Sequence, residues 1–139
     1  MASNTAKINV GRLLEIRVEA GYRTAEEVDE LFDAVGAEVR RAAVAKVVAA
    51  VDWRKCPIMA PVAAARMAER MTTMNARTER SAALALSNSS IAVLQFLRVI
   101  REAGLPDRKL FFAPMPLVNW LGEVLTAYES TRLREFIGV

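Results

Sequence analysis

Histidine is absent from the 139-residue chain, and cysteine occurs once, as Cys56. Those two counts remove a Ser-His-Asp triad, a Cys-His dyad, a zinc site and an internal disulfide from this chain. Long apolar runs are missing too. The most apolar stretch, residues 42–51, is broken by Lys46 and is about half the length a membrane helix needs. The first residues, Met1-Ala2-Ser3-Asn4-Thr5-Ala6, have no basic segment leading into an apolar one, so they read as neither a signal nor a transit peptide. An unpaired cysteine suits a reducing compartment. The expectation is a cytoplasmic protein without membrane insertion. Charge of one sign is also not concentrated: 19 Lys and Arg are mixed with 16 Asp and Glu, a net +3. Nucleic-acid binders gather basic residues in a stripe or tail, so no nucleic-acid partner is expected.

What is present is core-forming. Hydrophobic residues make up 53% of the chain, and no linker or repeat interrupts them, so residues 1–139 read as a single domain. Ile8 and Val10 open a short strand, with Gly11 as the turn. Leu13-Leu14-Glu15-Ile16-Arg17-Val18 alternates, placing Leu14, Ile16 and Val18 on a buried face and Glu15 and Arg17 on the other. Thr24-Ala25-Glu26-Glu27 is a capping box for a helix to about Ala43, packed through Val28, Leu31, Phe32, Val35 and Val39. Residues 46–53 suit a buried parallel strand. Pro61 opens a second helix with a stripe of Ala64, Met67, Ala68, Met71 and Met74.

Residues 81–86 read as another strand. Ser89 or Ser90 caps a third helix through Glu102, with Val93, Leu94, Phe96, Leu97 and Ile100 inward and Gly104 as its stop. Residues 109–112 form a short strand, and Pro116 opens a fourth helix containing Leu117, Trp120, Leu121 and Val124. Thr126-Ala127-Tyr128-Glu129, a second capping box, starts a terminal helix packed through Leu133 and Phe136 or Ile137. The fold class is therefore α/β: a mixed, mostly parallel sheet of about five strands, the first in an N-terminal hairpin, with helices packed on it.

This order resembles the STAS domain and its SpoIIAA-like relatives, small bacterial proteins among them. The resemblance is carried by Gly21-Tyr22-Arg23-Thr24-Ala25-Glu26 opening the first helix, by Lys109-Leu110-Phe111-Phe112, and by Leu117-Val118-Asn119-Trp120-Leu121. It covers about residues 7–125, with residues 126–137 as an added C-terminal helix. The resemblance implies a non-enzymatic regulatory module that binds a protein partner, as anti-sigma-factor antagonists bind a kinase. In those relatives a phosphorylatable serine stands where the third strand's loop enters the second helix. Here that segment is Asp52-Trp53-Arg54-Lys55-Cys56-Pro57-Ile58-Met59-Ala60-Pro61, which has no Ser or Thr, so the phospho-switch carries over to no residue.

In open α/β sheets ligands bind beyond the carboxyl ends of the parallel strands. The loops gathering there bring together Tyr22, Arg23, Trp53, Arg54, Lys55, Cys56 and Ser89, the expected partner or ligand surface. Trp53 is either an aromatic anchor for a partner or a cap on the core. Cys56 beside Arg54 and Lys55 is either an activated thiol or a small buried hydrophobe. Arg66, Arg70 and Arg77 share a helix face open to an acidic partner. Met59, Met67, Met71 and Met74 either fill the core or line an adaptable pocket. No paired acids stand in the loops, so no catalytic residue, cofactor or metal is expected. The expected function is a protein-interaction module, with a small-molecule or lipid carrier or sensor as the alternative. The apolar excess also points to a homodimer through Leu133, Phe136 and Ile137.

Overall fold

Alternation of apolar and polar residues sets the first two strands. In the computed structural model, which describes residues 3–88 and 90–139, β1 is Asn4–Ile8 and β2 is Leu13–Val18. They pair antiparallel, with Lys7 opposite Glu15. The turn between them requires glycine at position 11. Its φ is +57°, and any Cβ there would run into the Glu129 carboxylate. That carboxylate accepts the Arg12 N–H at 2.8 Å, so the hairpin is tied to the far end of the chain.

The Thr24 hydroxyl accepts the Glu27 N–H at 3.2 Å and starts α1, Ala25–Ala42. The Glu27 carboxylate reaches the Arg23 N–H at 3.3 Å, one residue before the position a full capping box uses. β3 is Val47–Asp52, fully buried, and α2 is Pro61–Met74, opened by its proline. A short 3₁₀ turn, Asn75–Arg77, leads into β4, Thr78–Leu84. Then follow α3, Ser90–Ala103, β5, Arg108–Phe111, α4, Pro114–Gly122, and α5, Ala127–Ile137. Pro114, not Pro116, opens α4. The α5 capping box is complete, with Glu129 accepting the Thr126 N–H at 2.8 Å.

The sheet order is β1-β2-β3-β4-β5, with β2 through β5 parallel. Three right-handed crossovers stepping one way across a sheet place all their helices on one face. So α1, α2 and α3 cover the face of Leu14, Ile16, Ala49, Val51 and Ala83. After β5 the chain turns back, and α4 and α5 cover the face of Leu13, Val48, Ala50 and Leu84. The sheet is thus buried on both sides. That corrects the expectation of a polar outer face: Glu15 is only 4% exposed. Its carboxylate takes two hydrogen bonds from Arg132 of α5, each 2.8 Å. Among the described residues no helix is long and apolar enough to cross a membrane.

Helix α3 is also rotated from the expected orientation. Ala92, Phe96, Val99 and Ala103 face the sheet, whereas Leu94 and Leu97 point to solvent. Small alanines let the helix sit close to α2 and the strands. The larger aliphatic side chains are left on its outer surface.

Candidate functional site

The loops beyond the carboxyl ends of β2, β3 and β4 converge as topology requires. Asp52 ends β3 and receives Arg54 as a fork, through Nε at 3.0 Å and Nη2 at 3.0 Å, plus the Arg54 backbone N–H at 3.1 Å. Arg17 of β2 adds a bond at 3.3 Å. Burial pushes the Asp52 carboxyl upward, but the Arg54 hydrogen bonds outweigh it and hold the group below its ordinary range. Both arginines continue outward to α5. Arg17 donates to the Phe136 carbonyl at 2.6 Å and Arg54 to the Ile137 carbonyl at 2.9 Å. A carboxylate held between two arginines that cap a helix C-terminus is a clasp for α5. An open cleft of about 540 Å³ lies beside it, bordered by Lys55, Leu86 and Glu135.

The segment at residues 53–60 is pinned at four points. Trp53 N–H donates to the Leu84 carbonyl at 2.8 Å and Cys56 N–H to the Trp53 carbonyl at 3.0 Å. Ala60 N–H donates to the Tyr22 carbonyl at 3.2 Å. Gln95 of α3 completes the set: its side-chain carbonyl accepts the Met59 N–H and its amide donates to the Met59 carbonyl, both at 2.8 Å. A loop held in this way presents a fixed surface.

The expected site residues separate into two groups. Trp53 is buried, its ring 4.7 Å from Phe96, and so caps the core. Tyr22 is buried as well. Cys56 is buried, its S–H directed at the Pro57 carbonyl at 3.3 Å, and burial pushes its thiol up to about 12. A thiol that stays protonated is a poor nucleophile. Arg23 and Lys55 are exposed, and Arg54 is half-buried in the clasp. Ser89 lies outside the described residues.

No protein-family model matches the chain, and no curated protein or solved structure matches it significantly. The reading of the site rests on its own geometry.

That geometry includes residues the sequence reasoning missed. Ile91 and Leu94, one turn apart on the outer face of α3, are each 67% exposed. Ile58, Val62, Leu86 and Leu97 are exposed as well. Ile58 and Leu86 border a groove of about 240 Å³ floored by Trp53 and Phe96. Leu94 borders a second groove, about 400 Å³, between α2 and α3, with Ala64 and Ala65 at its side. Ile58 and Leu86 thus share one groove and Leu94 borders the other, with Ile91 one turn before Leu94 on α3. Lys55 borders the cleft it shares with Leu86, and Arg98, paired with Glu102 at 2.9 Å, borders the groove of Leu94.

Two other expected surfaces are used internally. Arg66 pairs with Asp29 at 2.8 Å, and Arg70 pairs with Asp29 at 2.9 Å and Asp33 at 3.4 Å, so this face joins α2 to α1. Leu133, Phe136 and Ile137 are buried under the sheet by the chain itself, and a second copy cannot reach them.

Proposed function

We propose that this protein is a non-enzymatic, cytoplasmic interaction module of the SpoIIAA-like STAS kind that works without the phosphorylatable serine of that group. The observation that carries the reading is the exposed strip of Ile58, Leu86, Ile91 and Leu94 at the carboxyl edge of the sheet. The pinned segment at residues 53–60 supports it, because a preorganised surface loses little entropy on binding. The element order and the parallel sheet agree with the family resemblance. Lys55 at the margin beside Leu86 favours a partner segment with apolar anchors bordered by an acidic residue. The buried, protonated Cys56 and the clasped Asp52 offer no activated group for catalysis.

The test is the double substitution Ile91→Ser with Leu94→Ser. Both side chains are exposed, so the thermal midpoint should stay within about 2 °C. Capture of the partner that the unaltered protein binds should fall at least about tenfold, the loss expected for two apolar anchors. Full retention of the partner by the double variant would contradict the reading.

A further inference from the structure

The sheet has two edges, and the chain treats them differently. At the β1 edge the Ile8 N–H donates to the Glu38 carboxylate at 2.9 Å, and the Ile8 carbonyl accepts from Arg41 at 2.6 Å. Side chains of α1 thus occupy the backbone groups that Ile8 turns away from β2, and α1 itself lies against β1. At the other edge, β5 pairs with β4 alone among the described residues. The Asp107 carbonyl accepts the Ser81 N–H at 2.9 Å and the Phe111 carbonyl the Ala85 N–H at 3.0 Å, so these alternate residues face β4. Leu110 and Phe112 fall between and beyond them in the alternation and turn their N–H and C=O groups outward. No hydrogen bond to those groups is made among the described residues.

The side chains around this open edge are apolar. Phe112 is 47% exposed and Met115, just beyond it, is 39% exposed, while Leu110 and Phe111 are half-buried. The two neighbouring cations are engaged elsewhere. Arg108 donates to the Asn75 side chain at 2.9 Å, and the Lys109 ammonium sits 4.7 Å from the centre of the Trp120 ring.

We infer that β5 pairs with β5 of a second copy of this chain, antiparallel about a two-fold axis at Phe111, so that two five-stranded sheets become one. That axis sets Phe111 against its own counterpart, a cross-strand aromatic pair beside the two Trp120 rings. It sets Leu110 against Phe112 of the second copy, where the two residues exchange N–H···O bonds in both directions, and the symmetry repeats the exchange on the other side. Lys109 falls opposite Ala113, so the two lysines stand about 13 Å apart along the strands. An axis at Lys109 would place them face to face, which is unfavourable. The edge therefore complements itself, apolar at its centre with the cations displaced to its ends. Pairing stops at two copies, because the plugged β1 edge offers no second site for growth. The inference uses none of the residues of the proposed strip, and it puts the dimer contact away from the buried Leu133, Phe136 and Ile137.

A seam this short makes a weak dimer, with a Kd on the order of 10–500 μM. The test is sedimentation equilibrium of the full chain together with residue-resolved amide hydrogen exchange. The expected result is a mass that rises toward twice that of one chain. Protection of the Leu110 and Phe112 amides should rise with it, at least about twofold between roughly 10 μM and 1 mM, while Lys109 and Phe111 stay protected throughout. Phe112→Pro removes an outward N–H and leaves the β4 ladder intact, so it should raise the Kd at least about tenfold. Phe112→Leu keeps that N–H and an apolar side chain and should stay within about threefold. Should Phe112→Pro fail to fold, the exchange pattern of the unaltered protein decides alone. A chain still monomeric at about 1 mM would overturn the inference, as would a dimer in which the Leu110 and Phe112 amides exchange as in the monomer. Protection of those amides only in a complex with another protein would give the edge to that partner and equally overturn it.

Discussion

Removing the guanidinium of Arg132 should cost far more than a surface ion pair is worth. Its partner Glu15 is 3% exposed in its side chain, and Arg132 is 32% exposed. Arg132 supplies two hydrogen bonds of 2.8 Å to that carboxylate, and the remaining one comes from Asn9 at 3.2 Å. Arg132→Met keeps the aliphatic stem against the sheet but leaves a charge under α5 with only the amide. Breaking a buried pair by deleting one partner typically costs about 3–5 kcal/mol. Partial exposure of Arg132, and Lys7 directly across the β1–β2 register, reduce this to about 2–3 kcal/mol. The double variant Glu15→Met with Arg132→Met removes the stranded charge and should recover stability to within about 1 kcal/mol of the unaltered protein. Urea unfolding followed by circular dichroism measures all three, with an unchanged m-value as the check that the folded state is intact. A loss under about 1 kcal/mol in Arg132→Met would refute the reasoning, as would a double variant that is less stable than either single one.

Trp53→Ala should destabilise by about 3–5 kcal/mol, since the ring is buried against Phe96; a shift of under about 1 kcal/mol in urea unfolding would return Trp53 to the surface. Glu38 accepts the Ile8 N–H at 2.9 Å and is bound by Arg41, which, with that backbone bond, lowers its pKa from the ordinary 4.5 to about 2. A depressed carboxylate stabilises above its unfolded pKa and loses that contribution as pH falls, so stability should drop between about pH 4.5 and 2, and Glu38→Gln should flatten this part of an acid titration. Ala43 ends α1 with φ 56°, in the left-handed region, so Ala43→Gly should raise stability by about 1 kcal/mol in the same urea assay.

The chain announces much of its fold locally. Thr24 and Thr126 mark helix starts through their own hydroxyls, and the apolar alternation of β2 ends where the strand ends. The buried partner of Glu15 is different. A polar residue alternating with apolar ones reads as a solvent face, and only the return of α5 over the sheet makes it an interior one. Arg132 lies 117 residues away, beyond the reach of any local pattern. Helix α3 reads with Leu94 and Leu97 inward, which the structure reverses for another reason. Apolar residues surround it, so periodicity cannot choose between Leu94 outward and Leu94 inward; close packing through Ala92 and Ala103 chooses. The convergence of the strand-end loops followed from topology, but which of their side chains are exposed did not. Tyr22, Trp53 and Cys56 turned inward, and Ile91 and Leu94 took the surface. Arg108 lies one residue before the expected strand at residues 109–112, and only the register beside Ser81 sets it in the lining of a cavity.

The central claim, that the outer face of α3 receives a protein partner, is tested most directly by site-specific photo-crosslinking in the source cell. One photoreactive residue replaces Leu94 and, in a second protein, Tyr128, which is 84% exposed on α5 at the opposite face. The account predicts a discrete adduct of defined mass from position 94, none from position 128, and loss of the adduct when Ile58→Ser and Ile91→Ser are added. Equal adducts from both positions, or an adduct from 128 alone, would contradict it.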